Sequence, residues 1–361
     1  MHEKIAYIEA LQNADEHVLI VPGPRTEVRR KERSRIYSIS SPLVSRTSRY
    51  RALLNLRGVE EALEREKPDI IESADPYQVG WKVLQGARTL GVPAVGFYHS
   101  HFAEAYFRKV INLAKKYVPY LYNQFAATLV PSQGLASVLE NWGVRNVRTV
   151  SLGVNTGIFS PAPADSEATR AGLHIPADQT LLLYVGRLAT EKNTKTLFRA
   201  FELLSSRLPG KFHLLVIGDG PERSDLMRLN TGTGNVTWLN YCADPGALAR
   251  YYRAADLFVH PGIQETFGLV ALESQACDTP VVGIRGSYMD EVIFHDQVSW
   301  ARKNSPESLA GAVERCGELK GSIVRNELAL RVGHSHSWPQ VFDRLFCIYR
   351  DLCANYPNSR K

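Results

Sequence analysis

The sequence predicts an α/β protein of two doubly wound Rossmann-like domains facing a cleft. Short β-branched runs alternate with amphipathic helical stretches, the pattern of parallel sheets covered by helices on both faces. The alternation pauses once, at the Gly-, Pro- and Ser-rich "VSLGVNTGIFSPAPADSEATRAGL", which reads as an inter-domain linker, and then restarts. A length of 361 residues suits two domains.

The elements follow in order. "EKIAYIEALQ" reads as a helix and "HVLIVP" as a strand. Beyond a basic stretch come helix "GVEEALERE", strand "PDIIES", helix "QVGWKVLQGARTL" and strand "PAVGFYH". Helix "AYFRKVINLAKKYV", strand "ATLVPS" and helix "GLASVLENWG" close the first half. In the second half "TLLLYVG", "FHLLVIGDG", "VTWLNY", "LFVHPG" and "PVVGI" are strands with helices between them, and "WPQVFDRLFCIYRDLCANY" is a closing helix. The boundaries expected are 1–156, 157–338 and 339–361. A doubly wound domain opens with a strand and a glycine-rich turn before its first helix. Here the helix comes first and no glycine precedes Gly23. The first domain is therefore expected to lack its opening strand and glycine loop, through a frame that starts upstream of Met1 or a degenerate chain.

Composition narrows the function classes. Hydrophobic content of 44% and charged content of 22% are those of a soluble protein, and no apolar run approaches the length of a membrane span. The N-terminus has no signal-peptide core, and the five cysteines form no Cys-x-x-Cys pair, so reduced thiols and a cytoplasmic location are expected. Residues 1–155 carry 21 Lys and Arg against 15 Asp and Glu, whereas the remainder carries 22 against 22. Much of that surplus lies in "RTEVRRKERSRIYSISSPLVSRTSRYR", read either as a solvated loop or as a surface for an anionic partner. Nucleic acid is not expected, because no recognition signature accompanies the charge. "AYFRKVINLAKKYVPYLYNQF", with Arg108, Lys109, Lys115 and Lys116 beside aromatic residues, allows peripheral contact with an anionic membrane at the inner face.

In doubly wound sheets ligands bind at the carboxyl ends of strands. Three segments of the second half lie there: "YVGRLATEKN" with Arg187 and Lys192, "VIGDGPE" with Gly218, and "HPGIQETFGL" with Glu265. The last leads into a helix starting near Phe267, whose unpaired N–H groups and dipole favour an anion. Two cations and a helix start make a diphosphate site that needs no metal. Glu265 and Glu273 interrupt an apolar stretch, and carboxylates suit the hydroxyls of sugars. Glu273, about two turns inside the helix, would hold a ribose, and Glu265 the sugar beyond the diphosphate.

"VGRLATEKN", "VIGDGPE" and "PGIQETFGLVALES" resemble the signature segments of family-four retaining glycosyltransferases of the GT-B fold, over about residues 15–350. The resemblance implies a hexosyltransferase that moves a sugar from a nucleoside-diphosphate donor to a glycan or lipid-linked acceptor, without cofactor or metal. It implies that Arg187 and Lys192 bind the leaving diphosphate with the backbone of Phe267, Gly268 and Leu269. Gly186, Gly218 and Thr266 fall in the same donor-binding motifs. Glu273 is implied at the ribose, Glu265 at the donor sugar and Asp244 in the nucleobase loop. "FYHSHF" resembles the family's first-domain strand end, which selects His99 over His101 for the donor sugar. It also resembles bacterial mannosyl- and glucosyltransferases of lipid-linked or envelope glycans, favouring GDP-mannose over UDP-glucose. Such catalysis stabilises charge growing on the departing diphosphate, and the chain contains no Asp-x-Asp pair. Two other readings stand beside this one. His99 and His101 could ligate zinc in a metal-dependent hydrolase, or the chain could bind a nucleotide sugar without turnover.

Overall fold

The computed structural model describes residues 2–10, 15–44, 51–99, 111–162, 164–294, 300–318 and 327–357. The chain divides into one unit of Met1–Ser151 with Val341–Lys361 and a second unit of Leu152–Gln340.

The first unit opens with α1 (His2–Ala10), β1 (His17–Gly23), β2 (Glu27–Arg30) and β3 (Ser34–Ser40). It continues through α2 (Leu56–Glu66), β4 (Ile71–Ser73), α3 (Gln78–Leu90), β5 (Ala94–Phe97), α4 (Ile111–Tyr122), β6 (Ala127–Val130), α5 (Gln133–Asn141) and β7 (Val147–Thr149). Part of the basic stretch, read either as a solvated loop or as a surface for an anionic partner, forms β2 and β3. β3 runs parallel to β1, His17 opposite Ser34, and β2 folds back antiparallel on β3. The reason lies on one side of β3: Tyr37 and Ile39 are buried, whereas the arginines of β2 stay in solvent. Arg46 and Arg49, like Arg108 and Lys109 of the expected membrane-contacting stretch, lie outside the described residues.

The strands of this unit form two sheets, β1-β3-β2 and the parallel β4-β5-β6-β7. Among the described residues no strand pairs with the second edge of β1 or of β4. Both strands line a cavity of about 1060 Å³. β1 is an apolar run of the kind buried on both faces in parallel sheets, yet its residues from His17 to Val21 are only half-buried. Lys4 of α1, Glu72 of β4 and Tyr349 of the last helix meet beside that cavity: Lys4 Nζ lies 3.4 Å from Glu72 Oε2 and 3.0 Å from the Tyr349 hydroxyl.

The second unit holds α6 (Ala164–Gly172), β8 (Thr180–Val185), α7 (Thr194–Arg207), β9 (Phe212–Ile217), α8 (Arg223–Thr233), β10 (Val236–Leu239) and α9 (Pro245–Ala254). β11 (Leu257–His260), α10 (Leu269–Ala276), β12 (Val281–Gly283), α11 (Pro306–Glu318) and α12 (Glu327–His336) complete it, and α13 (Trp338–Asn355) ends the chain. Five parallel strands run in the order β10-β9-β8-β11-β12. Successive strand residues point to opposite faces. Leu182 and Tyr184 of β8 thus join a core with Leu197 and Phe201 of α7, while Leu181 and Leu183 join another with Tyr252 of α9 and Leu272 of α10. This is the doubly wound arrangement predicted from the alternation.

The stretch expected to be a linker belongs mostly to this second unit. It contains α6, which two arginines tie down. Arg170 donates to the Ala254 carbonyl at 2.8 Å and to Asp256 Oδ2 at 2.7 Å, and Asp256 Oδ2 also accepts the Leu181 N–H at 2.8 Å. Arg253 donates to the carbonyls of Ser160 and Ile158 and to Asp165. Composition alone signalled a turn-rich segment; these long-range partners made it a docked one. Removing one member of a buried ion pair strands the other charge. Arg170→Leu should cost about 3–5 kcal/mol in urea unfolding of the chain, with the m-value unchanged.

Candidate active site

The order β10-β9-β8-β11-β12 reverses direction between β8 and β11, so the loops after these two strands leave the sheet on either side of one crevice. Both loops carry residues singled out in the sequence. After β8 the chain passes Gly186 and Arg187, makes a 3₁₀ turn over Thr190–Lys192, and enters α7 through Asn193, whose φ is 57°. After β11 it runs from Pro261 to Gly268 and enters α10.

The tertiary fold brings Lys192 and Glu265 together, the Lys192 ammonium bonding Glu265 Oε1. His260, the last residue of β11 and 2% exposed, completes the cluster, its Nε2 lying 3.5 Å from the same oxygen. His260 Nδ1 accepts the Gly262 N–H at 3.1 Å, which leaves Nε2 to carry the proton toward Glu265. Burial pushes the Glu265 carboxyl up, but the His260 hydrogen bond and the Lys192 charge outweigh it and hold the group down at about 2. Asn193 bridges the two loops, donating to the Pro261 carbonyl at 2.8 Å.

Gly268 caps α10 with a φ of +94°, and a Cβ there would stand 2.6 Å from Met289 Cγ, so the left-handed entry demands glycine. The Leu269 and Val270 N–H groups that open α10 have no acceptor within the helix and mark an anion-favouring end, whereas the Ala271 N–H is taken by the Gly268 carbonyl at 2.9 Å. Phe267 is buried and Leu269 is partly exposed. Thr266 is half-buried just before them.

Glu273 lies little more than one turn inside α10, shallower than the two turns expected, because the helix begins at Leu269. Its Oε2 accepts the Tyr252 hydroxyl at 3.0 Å. Burial raises the carboxyl to about 7, and the Tyr252 hydrogen bond offsets only part of that rise. The two glutamates are therefore opposite electrostatic cases, one held ionised and one poised between its two forms near neutral pH.

The remaining expected residues take separate places. Arg187 is exposed and pairs with Glu191 at 3.5 Å. The Gly186 N–H is taken by the Ile217 carbonyl, and Gly218 packs so closely that a Cβ on it would lie 2.0 Å from the Gly186 carbonyl oxygen. Both glycines thus serve the close approach of the chain after β8 to the chain after β9. Asp244 caps α9, accepting the Gly246 and Ala247 N–H groups at 3.0 and 3.1 Å. His99 is exposed just past β5 in the first unit, stacked on Phe97 with ring centroids 5.7 Å apart. His101 lies outside the described residues. Among the described residues no group of three or more His, Cys, Asp or Glu is placed to hold a metal ion. His260, Asn193 and Tyr252 escaped the sequence reading. The position of His260 at a strand's carboxyl end was a usable signal; nothing local marked Tyr252.

Comparison with known proteins accounts for both halves of the chain. Residues 165–328 match the model of glycosyl transferases group 1, and residues 6–157 that of glycosyltransferase family 4. The GDP-mannose-dependent alpha-(1-6)-phosphatidylinositol dimannoside mannosyltransferase of Mycobacterium tuberculosis is 33% identical over 317 residues, 84% of this chain and 80% of that protein. The chain belongs to the group 1 glycosyltransferases. A D-inositol 3-phosphate glycosyltransferase of Thermobispora bispora is 35% identical over 228 residues, 57% of this chain and 50% of that protein. Among solved structures, the sucrose-phosphate synthase of Thermosynechococcus elongatus superposes with a TM-score of 0.74 at 22% identity, covering 94% of this chain and 89% of that one. Anabaena HepE in complex with UDP gives 0.71 at 18% identity, covering 82% of each chain. The fold of this glycosyltransferase is thus GT-B.

The raised Glu273 carboxyl makes a pH prediction. Its folded value of about 7 exceeds the ordinary 4.5, so between those values the folded protein keeps a proton that the unfolded chain has released. Stability from this group is whole below about pH 4.5 and is lost as pH rises toward 7. Glu273→Gln cannot titrate, so the melting temperature of the variant relative to the parent should climb between pH 5 and 8. A difference that stays flat across that range would remove the assignment.

Proposed function

We propose that this glycosyltransferase moves a hexose, with retention and without a metal ion, from a nucleoside-diphosphate sugar to a glycan or lipid-linked acceptor. GDP-mannose is the first donor to test and UDP-glucose the second. The observation that carries the reading is the Lys192–Glu265–His260 cluster beside the start of α10, at the point where the strand order reverses. A cation and helix-start amides fit a diphosphate, and a half-buried ionised carboxylate fits sugar hydroxyls.

The roles follow from charge. As the bond to the sugar breaks, negative charge grows on the departing diphosphate. Lys192, Arg187 and the backbone amides of Phe267, Gly268 and Leu269 stabilise that charge, so their binding is strongest in the transition state. Glu265, kept ionised by its neighbours, holds the sugar and stabilises its growing positive character. Glu273 takes the ribose hydroxyls, and His99 keeps its implied role toward the donor sugar. The departing phosphate oxygen accepts the acceptor's proton on the face it leaves, which returns the new bond to that face.

The donor choice draws on the Mycobacterium relative, whose name specifies GDP-mannose, while the HepE complexes contain UDP and UDP-glucose. For the acceptor, that relative acts on a phosphatidylinositol dimannoside, and a Streptococcus pneumoniae relative is an alpha-monoglucosyldiacylglycerol synthase. A peripheral contact at the membrane's inner face suits such acceptors. Leu113 and Tyr120 of α4 are exposed beside Lys115 and Lys116, and no described helix is long and apolar enough to cross a membrane.

Nucleotide release from GDP-mannose and UDP-glucose tests the reaction, and the anomeric configuration of the product by NMR tests retention. Turnover should be unchanged in excess EDTA; loss on chelation with recovery on Mn²⁺ would overturn the metal-free mechanism. In calorimetric titration with GDP, Glu273→Gln should weaken binding by about 1.5–3 kcal/mol. Glu265→Gln should instead bind GDP nearly as the parent does and lose turnover.

A further inference from the structure

Glu222 is only 5% exposed, yet among the described residues no Lys or Arg pairs with it. It stands at the N-cap position of α8 without bonding that helix through its side chain. Its carboxylate crosses instead to the neighbouring loop. Oε1 accepts the Thr190 hydroxyl at 2.8 Å, and Oε2 accepts the hydroxyl of the fully buried Thr194. Thr190 opens the 3₁₀ turn that ends at Lys192, and Thr194 opens α7. One carboxylate therefore grips the chain on both sides of Lys192.

The backbone is tied to the same place. The Glu222 N–H donates to the Leu188 carbonyl at 3.0 Å, and the Leu188 N–H donates to the Asp219 carbonyl at 3.0 Å. The carboxylate also sits at the start of α7, where the helix dipole favours an anion. Asn193 supplies no side-chain cap to α7; its Oδ1 accepts the Thr196 hydroxyl at 2.7 Å and its Nδ2 donates to the Pro261 carbonyl at 2.8 Å. Glu222 fixes the turn from one side and Asn193 from the other, with Lys192 between them.

We propose that Glu222 is a positioning residue for Lys192, setting where the ammonium lands through the two threonine hydroxyls. This rests on the reading of Lys192 as the cation of the diphosphate site. A lysine side chain has four rotatable bonds, so its reach depends on a fixed Cα. Small misplacements of a charge-stabilising group are costly in rate.

The test compares GDP-mannose turnover in the parent, Lys192→Ala, Glu222→Gln and the double variant. Glu222→Gln keeps the volume and should fold. It should lower kcat on the order of tenfold with KM changed by less than about twofold, as misplacement of a transition-state contact does. In the Lys192→Ala background the same change should add no further loss, since the group it positions is gone. Amide hydrogen exchange, which needs no substrate, should speed up at Thr190–Thr194 and not across the sheet. Thr190→Val, which removes one of the two hydroxyls, should give the same pattern more weakly and stands in if Glu222→Gln fails to fold. Parent-like turnover in Glu222→Gln, or an equal loss in both backgrounds with faster exchange throughout the unit, would overturn the proposal. If Lys192→Ala itself keeps the parent rate, the diphosphate reading fails, and the exchange result then shows whether Glu222 still holds the turn.

Discussion

Much of the second unit's chemistry depends on one pairing, that of β8 with β11. Leu182 lies opposite Leu257 and Leu183 opposite Phe258, so strands far apart in sequence become neighbours at the centre of a parallel sheet. Parallel neighbours end at the same edge, and because the order reverses between them their loops spread apart and leave a crevice. Lys192 arrives from one loop and Glu265 from the other. The sheet itself is secured by two separate cores, which alternate residues of β8 and β9 feed in turn.

Within that crevice two carboxylates of one short segment behave differently because their neighbours differ. Glu265 has a lysine and a proton-donating histidine beside it, and their combined pull exceeds the cost of burial. Glu273 is half-buried with only a tyrosine hydroxyl as a described partner, and desolvation wins. A hydroxyl relieves less of the desolvation cost of a carboxylate than a full charge does. The same chemistry bears on the proposed roles. A group that meets a sugar gaining positive charge should stay ionised, whereas a group that accepts from ribose hydroxyls can recover its charge when the ligand arrives.

The first unit is built with less symmetry. Its strands make two sheets, and the edges of β1 and β4 both border one cavity. Unpaired edges of parallel strands carry backbone donors and acceptors that sheets normally satisfy. Lys4, Glu72 and Tyr349 supply polar contacts beside that cavity, joining the first helix, β4 and the last helix. The basic hairpin of β2 and β3 owes its strands to apolar anchoring that its charge did not signal. Arg29 and Arg30 of β2 stay in solvent, whereas Tyr37 and Ile39 are buried and Arg35, on the same side of β3, pairs with Glu66 at 2.6 Å.

Local pattern alone was enough for most strands and helices of both halves. Apolar runs and amphipathic periodicity are properties of neighbouring residues, and strands such as β8 and β9 follow from them directly. The Lys192, Glu265 and Glu273 motifs were also legible, because loop residues at strand ends keep their sequence spacing. What sequence could not disclose was partnership. β3 needed β1 to become a strand, and α6 needed Asp256 to become more than a linker. Tyr252, His260 and Glu222 became relevant only through residues from 5 to 32 positions away. Side-chain hydrogen bonds and desolvation act through space, so they exist only once the sheet order has brought distant segments together.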